Sequence, residues 1–251
     1  MIGAIGLGGL AICLLLVWAL SKLSREILER ESFAFDTSFL LWFHQLANPT
    51  LDNLMVPITQ LGNPVFVIPV ATLTLGILVG SRRKSAALMF AIACLGGVIL
   101  NTGLKLVFTK PRPELWHRLI VETSYSYPSG HALGSMVLYG MIAYLLSQRY
   151  PKESRKNNLS KFFREISLLR GFCTLKSMSY KSETPKFSSI IYVAAAGLIL
   201  TICFSRLYLG VHWPTDIMAG LGIGLLWLIV CITMLKLQSL RRKSQMRINS
   251  R

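Results

Sequence analysis

Long apolar runs separated by shorter polar segments dominate this chain of 251 residues. A helix needs about 20 mostly apolar residues to cross the hydrocarbon core of a bilayer. Six runs approach or exceed that length, and we predict a membrane-spanning helix in each. They cover residues 2–20, 54–80, 85–104, 132–147, 189–206 and 214–236. The pattern therefore predicts an all-α fold, a bundle of six transmembrane helices.

Two of these runs need a further argument. Run 132–147 is short, and it spans a bilayer comfortably only if its helix begins near Ser129 and extends to about Gln148. Run 2–20 has the length of a signal peptide, but it lacks a basic n-region, and WALS at 18–21 is not a small-x-small cleavage site. We therefore expect an uncleaved anchor.

Composition supports a membrane protein. Hydrophobic residues make up 53% of the chain and charged residues 15%, with a mean hydropathy of +0.52. The five cysteines form no CxxC pair and read most simply as buried apolar residues. Because no Cys/His cluster has the spacing of metal ligands either, we predict neither a metal nor a cofactor.

The positive charges predict the orientation in the membrane. Nineteen of the 27 Lys and Arg lie in the turn at 82–84, the segment 149–186 and the tail from 236, all on one side of a six-span bundle. The positive-inside rule puts that side, and both termini, in the cytoplasm. Membrane topology and attraction to anionic lipid headgroups explain the net charge of +16 better than nucleic-acid binding does, because no nucleic-acid recognition motif accompanies the charge.

We divide the chain into three parts. Residues 1–53 form an N-terminal membrane anchor and an extracytoplasmic loop, 54–236 a transmembrane domain with a basic cytoplasmic loop at 148–188, and 237–251 a basic cytoplasmic tail. For the basic loop, the sequence fits two alternatives equally well, an amphipathic helix on the inner leaflet around 160–170 or a disordered linker.

Three short segments carry polar chemistry at the ends of apolar runs: KLVFTKPRP at 105–113, PSGH at 128–131 and SRLYLGVHWPTD at 205–216. Ionisable groups at span ends are costly unless they are paired, hydrated or used, so their clustering suggests one shared site. Lys105 and Arg112 are separated by a stretch that Pro111 and Pro113 keep extended. Both cations can therefore point into one anion-binding pocket on the extracytoplasmic side.

The second segment precedes the fourth run. Gly130 allows close backbone approach, and the free amides at this helix start suit an anion, with the Ser129 hydroxyl as a further donor. For the serine alone, an ordinary N-cap is the simpler interpretation. His131, at the mouth of the run, is the candidate general acid.

The third segment supplies a candidate nucleophile. If a helix begins at about Pro214, Asp216 lies close enough to His212 to accept a hydrogen bond from one imidazole nitrogen. If the bound anion is a phosphoester, the other nitrogen is then free to attack its phosphorus. Arg206, which ends the fifth run, adds a third cation for phosphoryl oxygens.

Together these residues resemble the tripartite signature of the type 2 phosphatidic acid phosphatase (PAP2) family, with every signature position filled in order between about 105 and 216. The resemblance implies a metal-independent membrane phosphatase in which His212 is transiently phosphorylated, His131 protonates the leaving group and Asp216 orients His212. It also implies that the phosphoryl oxygens are held by Lys105, Arg112, Ser129, Gly130 and Arg206, with Ser205 as a further contact.

The family resemblance implies lipid phosphates or diphosphates as substrates, among them phosphatidate, phosphatidylglycerophosphate and undecaprenyl diphosphate. Six spans argue against the soluble vanadium haloperoxidases of the same family. A lipid phosphotransferase is the alternative, because an alcohol can resolve a phosphohistidine as well as water can. A non-enzymatic transporter or lipid-binding protein fits less well, since the ionisable residues lie at span ends. Short loops favour a bacterial plasma membrane, and the oligomeric state is open.

Overall fold

The structure, a computed structural model, describes residues 2–29, 33–117, 119–148 and 187–249. These residues form eight helices and no strand, which confirms the all-α prediction. The helices are α1 (Ile2–Leu28), α2 (Phe33–His44), α3 (Pro49–Gln60), α4 (Pro64–Gly80), α5 (Lys84–Phe108), α6 (Gly130–Ser147), α7 (Phe187–Tyr208) and α8 (Pro214–Asn249).

Four of the described helices are long and apolar enough to cross a membrane: α5, α6, α7 and the Pro214–Arg241 part of α8. Helices α3 and α4 together pass the same test as a bent pair, which raises the number to five. The predicted first run lies within α1, which is not among these spans. An integral membrane protein is therefore confirmed, whereas six spans remain a prediction.

The predicted second run, 54–80, is broken rather than continuous. Helix α3 ends before Gly62, and α4 restarts at an angle of 43° after it. Asn63 caps α4 through its side chain, and Pro64 is the first helical residue, a combination that favours a new helix start. A Cβ on Gly62 would lie 2.6 Å from Cδ2 of His131, so the break leaves space for that ring.

Helix α6 is the centre of the bundle and packs against α5, α7 and α8. Its buried side chains include Leu133 and Met141, which join Phe90 of α5 and Ile202 of α7 in the main apolar core. Large apolar residues on the outer faces of α5 and α7, such as Ile99, are exposed. Such faces suit contact with lipid.

Four helix ends meet at one end of the bundle: the C-termini of α5 and α7 and the N-termini of α6 and α8. Near the same end, α2 packs against α7 and α8, and α3 packs against α7. Helix α5 has 25 residues and is therefore about 37 Å long at 1.5 Å per residue. The basic turn 82–84 accordingly lies at the opposite end of the bundle from Lys105.

Two predicted features fall largely outside the described residues, namely the amphipathic segment at 160–170 and nearly all of the basic loop 148–188. Helix α8 continues beyond the predicted boundary at 236 as far as Asn249, so the start of the predicted tail is helical. The three-part division of the chain remains a prediction.

Candidate active site

The start of α8 places a histidine and a carboxylate side by side. Helix α8 begins at Pro214, and Asp216 lies in its first turn, one turn after His212. The Nδ1 atom of His212 is 3.4 Å from Oδ2 of Asp216. Both side chains are almost completely buried. The structure thus brings together the two residues that the sequence suggested as a nucleophile and its orienting carboxylate.

Asp216 is held by donors from three further residues. The backbone N–H of Trp213 donates to Oδ2 at 2.9 Å, and the Ser126 hydroxyl donates to the same oxygen. The ammonium of Lys110 donates to Oδ1 at 3.1 Å. Because donors hold both of its oxygens, the carboxylate has little freedom to rotate away from His212.

The other nitrogen of His212 faces a cation. Nη1 of Arg112 lies 3.3 Å from Nε2 of His212. Because a guanidinium has only donors, Nε2 accepts this contact, and the ring proton then sits on Nδ1, toward Asp216. The Nε2 lone pair is therefore on the side of the ring that faces the basic pocket.

Burial lowers the pKa of His212 well below its ordinary value, and the charges of Arg206, Arg112 and Lys105 lower it further. The imidazole is consequently neutral at pH 7, the form that a nucleophile requires. The three predicted phosphate-binding cations are thus close enough to act on one imidazole.

Arg112 and Lys105 both contact the loop that precedes α6. Arg112 donates from Nε to the Ser124 carbonyl at 2.7 Å and from Nη1 to the Val211 carbonyl at 2.7 Å. The Lys105 ammonium donates to the Tyr125 carbonyl. Carbonyl oxygens of this loop therefore lie where the two cations converge.

Arg206 is buried between α3 and the same loop. Its Nη1 donates to the Thr59 hydroxyl at 2.9 Å, and its Nη2 forms an ion pair with Glu122. The Nε atom is buried and has no hydrogen-bond partner among the described residues. This guanidinium therefore has bonding capacity beyond the protein contacts that hold it.

Glu122 bridges two of the predicted phosphate-binding arginines, because its carboxylate also lies 3.7 Å from Nη2 of Arg112. Burial by itself would raise the pKa of Glu122, but the charge and hydrogen bond of Arg206, with a smaller effect of Arg112, lower it overall. The carboxylate is therefore ionised at neutral pH and occupies arginine donors that a phosphate would use.

His131 lies at the start of α6 and is 8% exposed. The Thr59 backbone hydrogen-bonds its ring, whereas Nε2 is buried without a hydrogen-bond partner among the described residues. An imidazole nitrogen with no protein partner, next to the arginine cluster, is available to exchange a proton with a bound molecule.

The two serines of the signature make local hydrogen bonds. Ser129 caps α6 by accepting from the Ala132 N–H at 3.5 Å, as the simpler interpretation of that residue expected, and its own N–H donates to the Asp216 carbonyl at 3.1 Å. Ser205 donates to the Ile202 carbonyl of its own helix at 2.6 Å. Gly130 is the first residue of α6.

The model of the PAP2 superfamily matches residues 85–239, which include all three signature segments. This chain belongs to the PAP2 superfamily. The resemblance inferred from the signature is thereby confirmed.

Two curated relatives of this PAP2 protein are similar over most of their length. Phosphatidylglycerophosphatase B of Bacillus subtilis is 26% identical over 181 residues, which cover 72% of this chain and 73% of that protein. Undecaprenyl-diphosphatase of Sulfolobus acidocaldarius is 28% identical over 220 residues, or 85% of this chain and 84% of that protein.

Two crystal structures have a similar fold. A transmembrane PAP2-type phosphatidylglycerolphosphate phosphatase from Bacillus subtilis matches with a TM-score of 0.70 and 24% identity, over 88% of this chain and 94% of that one. LpxE from Aquifex aeolicus matches with a TM-score of 0.51 and 18% identity, over 78% and 94%. These likenesses establish the fold of a membrane PAP2 phosphatase.

Sequence reasoning missed several residues that build the site. Glu122 lies outside the three signature segments, and Lys110 lies unremarked inside KLVFTKPRP. Asp36, which is completely buried in α2, lies outside the family match. A signal for it existed, because Asp36 is the only charged residue in the apolar stretch FAFDTSFLLWF at 33–43. The argument that such charges are paired or used applies to it equally.

Proposed function

We propose that this PAP2 protein is a membrane lipid phosphatase that hydrolyses a lipid phosphate or diphosphate through a phosphohistidine on His212. The observation that carries the proposal is the orientation of that imidazole, with Nδ1 toward Asp216 and Nε2 toward Arg112. The names of the two curated relatives, both lipid phosphatases, support a phosphoric ester or anhydride as the substrate.

In the first step, Nε2 of His212 attacks phosphorus and the bond from phosphorus to the leaving oxygen breaks. Arg112, Arg206 and Lys105 stabilise the negative charge on the non-bridging oxygens. The phosphorylated ring becomes cationic, and the Asp216 carboxylate at its Nδ1–H stabilises that charge.

His131 moves the protons. Its Nε2 gives a proton to the departing oxygen, which leaves as the lipid alcohol or, from a diphosphate, as the lipid monophosphate. In the second step His131 takes a proton from water, the hydroxide attacks phosphorus, and the P–N bond breaks to release inorganic phosphate. His131 thus acts as the acid in the first step and as the base in the second.

A lipid substrate fits the position of the site at the end of apolar helices with exposed apolar faces. A headgroup can enter the basic cluster while the lipid chain stays in the bilayer. We place this end on the extracytoplasmic face of a bacterial plasma membrane, with both termini in the cytoplasm. The support is the basic turn 82–84 at the far end of α5, which the positive-inside rule assigns to the cytoplasm.

The proposal is tested with the full chain purified in detergent, in buffer containing a chelator. Phosphate release is measured from undecaprenyl diphosphate, phosphatidate and phosphatidylglycerophosphate. We expect release from at least one lipid, its loss in His212→Ala, and its retention in His117→Ala, which changes an exposed histidine outside the site. Acid-labile labelling of the wild type by a ³²P-lipid, absent from His212→Ala, identifies the intermediate.

If the folded wild type releases phosphate from none of the three lipids, the proposal is overturned. Transfer of the label to an added lipid alcohol instead of to water would replace it with the phosphotransferase.

A further inference from the structure

A buried chain of charges links α2 to the carboxylate beside the proposed nucleophile. The Lys110 ammonium donates to Oδ2 of Asp36 at 2.9 Å, to the Thr215 hydroxyl at 2.8 Å and to Oδ1 of Asp216 at 3.1 Å. An ammonium has three donors, and three acceptors surround this one. The side chains of Lys110 and both aspartates are at most 1% exposed.

Asp36 also holds the first turn of α8. Its Oδ1 accepts from the Thr215 backbone N–H at 3.1 Å, and its Oδ2 accepts from the Thr215 hydroxyl at 2.6 Å. The first amides of a helix lack partners within it, and a negative charge there is favourable. A carboxylate from α2 therefore supplies part of the N-terminal cap of the helix that carries Asp216.

The register of α2 explains why Asp36 reaches this position. Asp36, Leu40 and Phe43 follow one another at helical spacing and are all buried. Phe35 and Trp42, on other faces of the same short helix, are exposed. Helix α2 thus anchors itself by an apolar stripe and directs its one charge toward the start of α8.

Burying three charges costs free energy unless each is well paired, and apolar side chains of similar size would often serve stability as well. The arrangement is therefore better explained by what it does to Asp216. Lys110 binds Oδ1, which leaves Oδ2 for His212. A lone ammonium at that distance would also weaken the negative field of Asp216, and Asp36 offsets the ammonium charge.

We propose that Asp36 and Lys110 are positioning residues of the phosphatase reaction, acting through Asp216 to stabilise the imidazolium formed when His212 carries the phosphoryl group. The inference rests on the proposed function. It extends the active site to α2, which lies outside residues 85–239 matched by the family. Neither residue touches the reacting atoms.

The decisive variant is Asp36→Asn, which keeps the size of the side chain but removes its charge. We expect kcat to fall about 10- to 100-fold, by analogy with the loss of the hydrogen-bond partner of a metal-ligating histidine, with KM unchanged. Lys110→Arg, which retains the charge, should keep more activity than Lys110→Met. If Lys110→Met fails to fold, the comparison of Asp36→Asn with Lys110→Arg and the wild type is sufficient.

The matched control is Asp52→Asn. Asp52 lies on the neighbouring short helix α3 and accepts a hydrogen bond from the Tyr208 hydroxyl at 2.8 Å. A purely structural role of Asp36 predicts that both Asp-to-Asn variants lower thermal stability with little change in kcat. An effect on kcat confined to Asp36→Asn, in protein that elutes as the wild type does and is folded at the assay temperature, supports positioning.

A second readout keeps the inference independent of the lipid chosen. The His212 Nδ1 proton, assigned by its absence in His212→Ala, should resonate downfield in NMR spectra of labelled wild type and move upfield in Asp36→Asn. If the wild type releases no phosphate, the proposed function fails, and this resonance alone decides the coupling. An unchanged resonance, or an unchanged kcat in active, folded Asp36→Asn, would overturn the inference.

Discussion

Arg112 and His212 meet with Nη1 of the guanidinium 3.3 Å from Nε2 of the imidazole. The contact puts a fixed positive charge beside the lone pair proposed to attack phosphorus. At this position the guanidinium can stabilise the negative charge that the phosphoryl oxygens carry in the transition state. It also sets the tautomer, since a guanidinium cannot accept a hydrogen bond.

Arg112→Met should therefore lower kcat by about 100- to 1,000-fold, the range found when one donor of an oxyanion site is removed. The measurement is steady-state phosphate release from the preferred lipid. Arg83→Met, which removes an arginine at the opposite end of α5, is the control and should leave kcat unchanged. Equal activity of the two variants would exclude Arg112 from transition-state binding.

Glu122→Gln should bind phosphate more tightly. The Glu122 carboxylate pairs with Arg206, and its lowered pKa keeps it ionised at neutral pH, so it competes with a phosphoryl group for the same donors. We expect KM and the inhibition constant of inorganic phosphate to fall about twofold to fivefold, the equivalent of a partly exposed ion pair of up to about 1 kcal/mol. A rise in both constants would show instead that Glu122 orders the arginines for substrate.

His212 should remain neutral across the physiological range. Its pKa is lowered by burial and by neighbouring cations, so protonation begins only below the ordinary value of about 6.5. Carbon-13 NMR of histidine-labelled protein without substrate, assigned with His212→Ala, should show no titration of the His212 signal between pH 8 and 6.5. Titration of this signal near 6.5 would contradict the lowered pKa of His212.

Gly62→Ala should inactivate the protein without unfolding it. The added Cβ would lie 2.6 Å from Cδ2 of His131 and 2.9 Å from Cγ2 of Ile202, so the ring of the proposed general acid must shift. A displacement of about 1 Å at a reacting group can cost about 100-fold in rate. Gly76→Ala, where an added Cβ meets nothing within 4 Å, is the control and should retain activity. Full activity of Gly62→Ala would argue against a fixed position of His131.

The sequence predicted the helical class, the membrane location and the family, and it singled out the ionisable residues that gather around His212. These features could be found because each depends on local information. The length of an apolar run reports a possible membrane span, and a charge at the end of a run reports a cost that needs compensation. The spacing of His212 and Asp216 reports one turn of helix.

The break at Gly62 was missed for a different reason. Hydropathy integrates over a window and does not register one bent turn, although Asn63 and Pro64 are recognised start signals for a helix. The prediction of six spans likewise depends on hydropathy alone, and the described helices support four or five.

The sequence alone shows which apolar runs form helices, and it identifies two histidines, three cations and Asp216 near the ends of those runs. The pairings follow only from the folded arrangement, among them Asp36 with Lys110, 74 positions apart, and Glu122 with Arg206, 84 positions apart. A hydrogen bond depends on distance and direction in space, which local sequence patterns do not specify. Helix packing brings together residues that no local pattern relates, and the burial of α2 against α8 decides where its one charge must go.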